Sequence, residues 1–315
     1  MSPRNLSSKV WGQWSRLVVN RDTPKKLKYT TSDLAPLNIK LVSGNDTNDF
    51  SWFEPWDNLG NLTLTEPESL NKLPTLDLEA DEKLDVRTRQ QRHHSYCYAL
   101  WYAIQDRTES YSDLADFPRT HPGVSLSRIR PWSKIEYVTP LAIEMLSLIN
   151  HLPSEENEFY KVDRIHAPGY PFTWGWSPLS LEEFCVRDRD SQETLHPHLQ
   201  MAIFNLDCPD EDSILASELS ALVQIIGIRS RQPTFSGTPN IAALLISFFG
   251  ARQVRVIQAF YSEGNFKDEG KEEKDGEPKL TVMLEKAIEL VAEDRNENEE
   301  RMDEIIRWMA CNPSF

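Results

Sequence analysis

One stretch of the chain orders its apolar and polar residues so tightly that few arrangements accommodate it. Ala242 to Phe249 reads Ala-Ala-Leu-Leu-Ile-Ser-Phe-Phe, an apolar run of strand length made of residues that suit a pleated surface. Gly250-Ala251 is a turn, and Arg252 to Ser262 then alternates, with Val254 and Val256 on either side of Arg255 and Ile257, Ala259 and Tyr261 continuing the pattern. Period-2 alternation is the mark of a strand. Glu263-Gly264-Asn265 ends that strand, and Lys279-Leu-Thr-Val-Met-Leu supplies a third. Between them, Asp268 to Pro278 has no apolar residue and is expected to be a solvated excursion or a disordered loop. Upstream, Asp212 or Ser213 caps a helix with the stripe Leu215, Leu219, Leu222, Val223 and Ile226, ending near Arg229, because apolar residues at this spacing line one helical face. Downstream, Asn298 to Ala310 places Met302, Ile305, Ile306 and Met309 at helical spacing. The expected class is α+β: helix, three-stranded antiparallel meander and helix in the C-terminal part, with a mainly helical and irregular N-terminal half packed on it.

The first 75 residues are punctuated by Pro24, Pro36, Pro55, Pro67 and Pro74 and read as an irregular docking arm, with 76–315 as a single α+β domain. Asp49-Phe-Ser-Trp-Phe-Glu-Pro-Trp is too aromatic for a free linker, since leaving such rings in water forgoes several kcal/mol of burial. Asp85 to Asp106 predicts a helix from Tyr98, Trp101, Tyr102 and Gln105, which fall at i, i+3, i+4 and i+7. Thr139 to Leu152 predicts another, with Pro140 in its first turn. Phe117 to Trp132 reads as a connecting loop. His166 to Pro178, with three Pro and four aromatics, predicts a rigid irregular loop. Leu199 to Leu206 stays open between strand and helix, as short apolar runs do.

Charge and punctuation exclude several function classes. The chain of 315 residues carries a formal charge of −15, which repels a phosphate backbone over most of the surface and disfavours nucleic acid as a general partner. The two small basic clusters, Lys25-Lys26-Lys28 and Arg87-Arg89-Arg92, are read as solvated faces. Only 12 glycines are present, a poor supply for phosphate loops that need several residues without a Cβ close together. Cys97, Cys185, Cys208 and Cys311 are too dispersed for a disulfide framework or zinc knot and are expected to be free thiols in a reducing compartment. No signal-peptide pattern and no apolar span of membrane length appears, so the expected location is cytoplasmic or nuclear, not secreted, with no membrane.

Candidate chemistry is thin. His196-Pro-His198 places two imidazoles on one face if the segment is extended, a spacing that can chelate a metal, although a Pro-spaced pair also suits a surface turn. His166, Trp174 and Trp176 are candidates to line a pocket for a small ligand. Glu182-Glu183 and Asp188-Asp190, beside Arg187 and Arg189, read as a charged helix end or loop. The acidic block Glu293 to Glu304 reads as the outward face of the last helix, with Arg295 and Arg301 as partners. The motifs of nucleotide loops, serine-hydrolase elbows and zinc proteases are missing from the sequence.

Ser217-Glu-Leu-Ser-Ala-Leu-Val, Arg229-Ser-Arg-Gln-Pro, Leu244-Leu-Ile-Ser-Phe-Phe-Gly, Arg255-Val-Ile-Gln-Ala and Arg307-Trp-Met-Ala together resemble a group of uncharacterised proteins of filamentous fungi, over the C-terminal third of the chain. The order helix, three-stranded meander, helix is also similar to the core of the PD-(D/E)xK nuclease-like superfamily. That resemblance implies a first-helix Glu, a carboxylate on the second strand and an acid-x-Lys on the third, holding Mg²⁺ and polarising a water. Glu218 matches the helix position. Glu263 closes the second strand, and Glu285-Lys286 lacks the spacer that would put both side chains on one face, so the resemblance implies a degenerate member.

The leading expectation is a non-enzymatic intracellular protein that binds a protein partner or a small molecule and needs no cofactor. The alternatives are a divergent Mg²⁺-dependent nuclease-like hydrolase using Glu218, Glu263 and Lys286, and a pocket enzyme acting on a small hydrophobic substrate around His166, Trp174 and Trp176.

Overall fold

The computed structural model describes residues 14, 27–44, 52–55, 73–74, 76–115, 132–134, 176–187, 193–205, 207–231, 235, 238–263, 279–290 and 295–313. The meander forms where the alternation predicts it: β8 (Asn240–Phe249) and β9 (Gln253–Ser262) pair antiparallel, and β10 (Lys279–Leu284) pairs with β9 from Lys279↔Ser262 to Leu284↔Ile257. A three-residue turn joins β8 to β9, and Gly250 takes a φ of +56° there, a conformation easily reached only without a Cβ. The α+β class stands as the sequence predicts.

The sheet does not stop at three strands. Among the described residues it has eight, and the main order runs β2 (Ile39–Ser43), β10, β9, β8, β6 (Glu193–Asn205), β5 (Trp176–Arg187) and β4 (Trp132–Lys134), with β11 (Ile288–Glu289) added beside β9. The additions come from stretches whose sequence hides them. β2 runs parallel to β10, so the segment read as an irregular arm supplies a strand. β5 and β6 make a long antiparallel pair, with β4 outside β5. Glu182-Glu183 is therefore strand, not helix end or loop, and the supposed irregular loop becomes regular from Trp176. Pro178 is tolerated because the register shifts between Pro178 and Ser180, and a bulge is where a strand can lack an N–H.

Both faces of the sheet are covered. α4 (Ala216–Arg231) crosses from β6 to the parallel β8 and seals one face. There Leu199, Met201, Ile203, Ile241, Ala243, Leu245, Ile257, Ala259 and Tyr261 meet Leu219, Leu222 and Ile226 of the helix. α3 (Val86–Ala115) and α5 (Arg295–Met309) cover the other, where Ala202, Phe204, Leu244, Ile246, Phe248, Val254 and Val256 meet Leu100, Ile104, Met302, Ile305 and Ile306. A strand buried on both faces reads as an unbroken apolar run, which is why β8 carries one. α3 outruns the predicted helix by about two turns at 3.6 residues per turn, reaching Ala115.

N-terminal pieces are tied into this body. β1 (Lys28–Tyr29) pairs with β7 (Ile214–Leu215) just ahead of α4. α1 (Thr31–Leu34) brings Leu34 into the α4-side core. Trp14 is fully buried there, its indole N–H donating to Leu37 O at 2.7 Å. β3 (Phe53–Glu54) pairs with β12 (Asn312–Pro313), and Trp52 stacks on Phe260 at 5.3 Å. The short helix α2 (Leu78–Glu82) precedes α3 and buries Asp81 against Arg92. The helix expected over 139–152, the excursion 268–278 and most of the loops expected over 117–132 and 166–178 lie outside the described residues.

Candidate functional site

The parallel strands β6 and β8 end side by side, and α4 begins beside them, so the carboxyl end of this strand pair faces the first turn of a helix. In open α/β sheets that is where ligands are held. On the α4 face the row across the sheet reads Asn205, Ser247 and Arg255, since Ser247 is opposite Arg255 and Asn205 Nδ2 donates to Ser247 Oγ at 2.6 Å. Glu218, in the first turn of α4, completes the cluster: its Oε2 accepts the Leu215 N–H at 2.9 Å and an N–H of the Arg255 guanidinium. Arg255 Nη1 donates to the carbonyls of Asp210 and Ser213, at 3.0 and 2.9 Å. Glu218 is 0% exposed and Arg255 2%.

This is a closed ion pair. Burying a carboxylate or a guanidinium alone is prohibitive, and the pair endures because hydrogen bonds occupy the remaining positions. Occupation is incomplete here. Glu218 Oε1, Arg255 Nε and Asn205 Oδ1 have no hydrogen-bond partner among the described residues. Two acceptors and one donor in one buried cluster suit a small group that both donates and accepts, water being the simplest.

The other end of the same strands holds the histidine pair. His196 and His198 sit on one face of β6 with ring centroids 6.3 Å apart and planes 19° from parallel. The surface turn is thus an extended strand, and the shared face is as extended backbone dictates. His198 Nδ1 accepts the Ala242 N–H at 3.4 Å, which takes one ring nitrogen from any metal. Arg229, at the end of α4, donates to the carbonyls of His196 and Pro197 at 3.0 and 3.3 Å and lies 4.2 Å above the Phe235 ring. Burial, then His196 and Arg229, lower the His198 imidazole to about 4. No group of three or more His, Cys, Asp or Glu suited to a metal occurs among the described residues.

The residues matched to a nuclease are not brought together. Glu263 follows β9 at its far end, its N–H donating to Pro239 O at 3.0 Å, eight residues from Arg255 and so roughly 25 Å along the strand. Burial raises its carboxyl. Lys286 stands exposed in the link from β10 to β11, and Glu285 beside it accepts Gln258 Nε2 at 3.0 Å on the opposite face from Glu218. Trp176 does reach the Glu218 end, since its backbone pairs with Asn205, whereas His166 and Trp174 lie outside the described residues. Arg255 was the missed member of the cluster. Its signal was present: Ile257, Ala259 and Tyr261 share its parity, so alternation already put it on a core face.

The fold and the cluster define an α+β protein with a mixed sheet enclosed by helices and a buried Arg–Glu pair at the carboxyl end of its parallel strands. Compared with known proteins, the chain matches no family model, no curated protein and no solved structure.

Proposed function

We propose that the protein acts by binding and not by hydrolysis, as a partner-binding or small-ligand-binding protein. The observation that carries this is the closure of Glu218: the carboxylate matched to metal binding is spent on Arg255 and the Leu215 N–H inside the protein. A hydrolytic Mg²⁺ needs carboxylates converging on a cleft open to water. The exposed charge on α5 is mainly acidic, with Glu297 Oε1 accepting from Arg301. Glu297, Glu300 and Glu304 are exposed along the outer side of α5, and the net charge is −15, which favours a partner with a basic surface. A lysine-rich peptide is the first probe. Salt-sensitive binding to the full chain, lost when the three glutamates become lysines, is the expected result. Equal binding by the wild type and the triple variant would overturn this choice of surface, and no binding or thermal stabilisation by basic or small polar probes would overturn the reading.

A Mg²⁺-dependent hydrolase is the second reading, and one observation favours it. Among the described residues the order helix, three antiparallel strands, helix is met a second time as α3, β4, β5, β6 and α4. On that frame the middle strand carries Glu182, 1% exposed, opposite Gln200 of the third strand. The third strand then reads Gln200-Met201-Ala202 where the nuclease-like pattern asks for an acid and a lysine one residue apart. With neither, little remains to hold the metal or stabilise the leaving oxygen. Plasmid nicking in Mg²⁺ or Mn²⁺ that disappears in Glu182→Gln would raise this reading above the first.

A further inference from the structure

Two sulfurs meet at Gly250. Cys97, on the buried side of α3, has its Sγ 3.4 Å from the Gly250 carbonyl oxygen. Cys208, exposed in the turn after β6, has its Sγ 3.4 Å from the point where a Cβ on Gly250 would stand. Gly250 opens the turn between β8 and β9, so the helix sulfur and the turn sulfur approach one backbone residue that has no side chain to separate them.

We infer that Cys97 and Cys208 are a reversible disulfide pair, oxidised by low-molecular-weight disulfides such as glutathione disulfide.

The turn after Cys208 is exposed at its tip and anchored at its base, where Lys28 Nζ pairs with Asp210 Oδ1 at 2.6 Å and Arg255 holds the Asp210 and Ser213 carbonyls. Asp210, Glu211 and Asp212 are exposed, and segments with few buried apolar contacts open most readily. In the first step the Cys208 thiolate attacks one sulfur of the oxidant, forming a mixed disulfide and releasing one thiolate. In the second the Cys97 thiolate attacks Cys208 Sγ, the protein disulfide forms, and the second thiolate leaves. Two protein thiols are oxidised, one small disulfide is reduced to two thiols, and the two thiol protons end on the released thiolates. Burial pushes the Cys97 thiol up to about 12, with Cys208 adding to that push and the Arg252 N–H opposing it. Burial and then Asp207 raise the Cys208 thiol as well, with Lys28 opposing, so it is the exposure of Cys208 against the burial of Cys97 that makes Cys208 the sulfur that meets the oxidant and Cys97 the resolving one. Isolated, dispersed cysteines are inert, whereas a close pair with one exposed sulfur is where a labile disulfide forms.

The bridge has a target. The same turn supplies the Asp210 and Ser213 carbonyls that hold Arg255, so drawing Cys208 toward α3 strains the Arg255 side of the buried cluster. This pairing stands on its own geometry, whether or not the binding reading holds.

The test is oxidation of the folded full chain with glutathione disulfide, alkylation of the remaining thiols and peptide mapping by mass spectrometry. The expected product loses two hydrogens, links the Cys97 and Cys208 peptides and reverts with dithiothreitol. Cys208→Ser, a change at an exposed position that spares the core, abolishes it, while Cys185→Ser and Cys311→Ser leave it. Glutathione retained on Cys208 without a bridge, no reaction at either thiol, or a bridge to Cys185 or Cys311 would overturn the assignment.

Discussion

Arg255 occupies a position on β9 whose neighbours on the same face, Ile257, Ala259 and Tyr261, are all core residues. Its charge is tolerable only because Glu218 lies against it, and the two form one unit. Replacing Glu218 by Gln leaves a buried cation and is expected to cost about 3–5 kcal/mol in urea unfolding. Glu218→Leu with Arg255→Met is expected to cost less than either single change, since neither leaves a stranded charge. A double variant as unstable as the sum of the singles would contradict the pairing. His198 gives a pH signature. Its folded pKa of about 4 lies below the ordinary value near 6.5. Above about pH 6.5 neither state binds the proton, so the group contributes nothing there. As pH falls towards 4 the unfolded chain takes up a proton that the folded one refuses, and stability drops by on the order of 3 kcal/mol. His198→Gln is expected to flatten this loss in urea melts at pH 7 and pH 4.5, and an unchanged slope would count against a neutral buried His198. Glu218 was legible because its helix had a clear stripe and cap. Arg255 was harder, since an arginine inside an alternating strand is usually assigned to the wet side, and here there is none.

At the scale of elements, legibility followed local contrast. β8, β9, β10, α4 and α5 announce themselves through period and punctuation, each complete within a short window. β2 and β5 do not, because what makes them strands is a partner far away in sequence. In β2 only Lys40 alternates cleanly with Ile39 and Leu41, while Ser43 falls on their parity and breaks the pattern, and the Pro-rich surroundings outweigh so short a signal. In β5 the buried Glu182 breaks the apolar signal a double-covered strand normally shows. The long-range pairing is testable. Leu41, opposite Val282 and 8% exposed, is expected to cost about 2–5 kcal/mol when changed to Ala, whereas a freely solvated arm residue would cost nothing measurable. Gly250→Ala forces a positive φ on a residue with a Cβ and brings that atom 2.9 Å from Gln253 Oε1. A loss of about 1–3 kcal/mol is expected in thermal or urea unfolding, and a neutral substitution would contradict the turn geometry.

At the scale of the molecule, helices pack on both faces of the central strands β6, β8 and β9 among the described residues, and the polar groups inside serve one another. Glu218 answers Arg255, Asn205 answers Ser247, and the carbonyls of His196 and Pro197 answer Arg229. Among the described residues, the acidic exterior and the incompletely occupied cluster at the end of β6 and β8 are the two places that the proposed binding would use. The class of the fold was readable in the sequence, and the eight-stranded sheet seen among the described residues was not, because periodicity reports on one element at a time and strand order depends on which elements meet.

The most direct measurement is a Mn²⁺ titration of the full wild-type chain followed by electron paramagnetic resonance, with plasmid nicking assayed on the same samples. A carboxylate closed on Arg255 predicts that the free-ion signal tracks added Mn²⁺ and that the plasmid stays intact. Stoichiometric loss of the free-ion signal together with nicking would contradict the account.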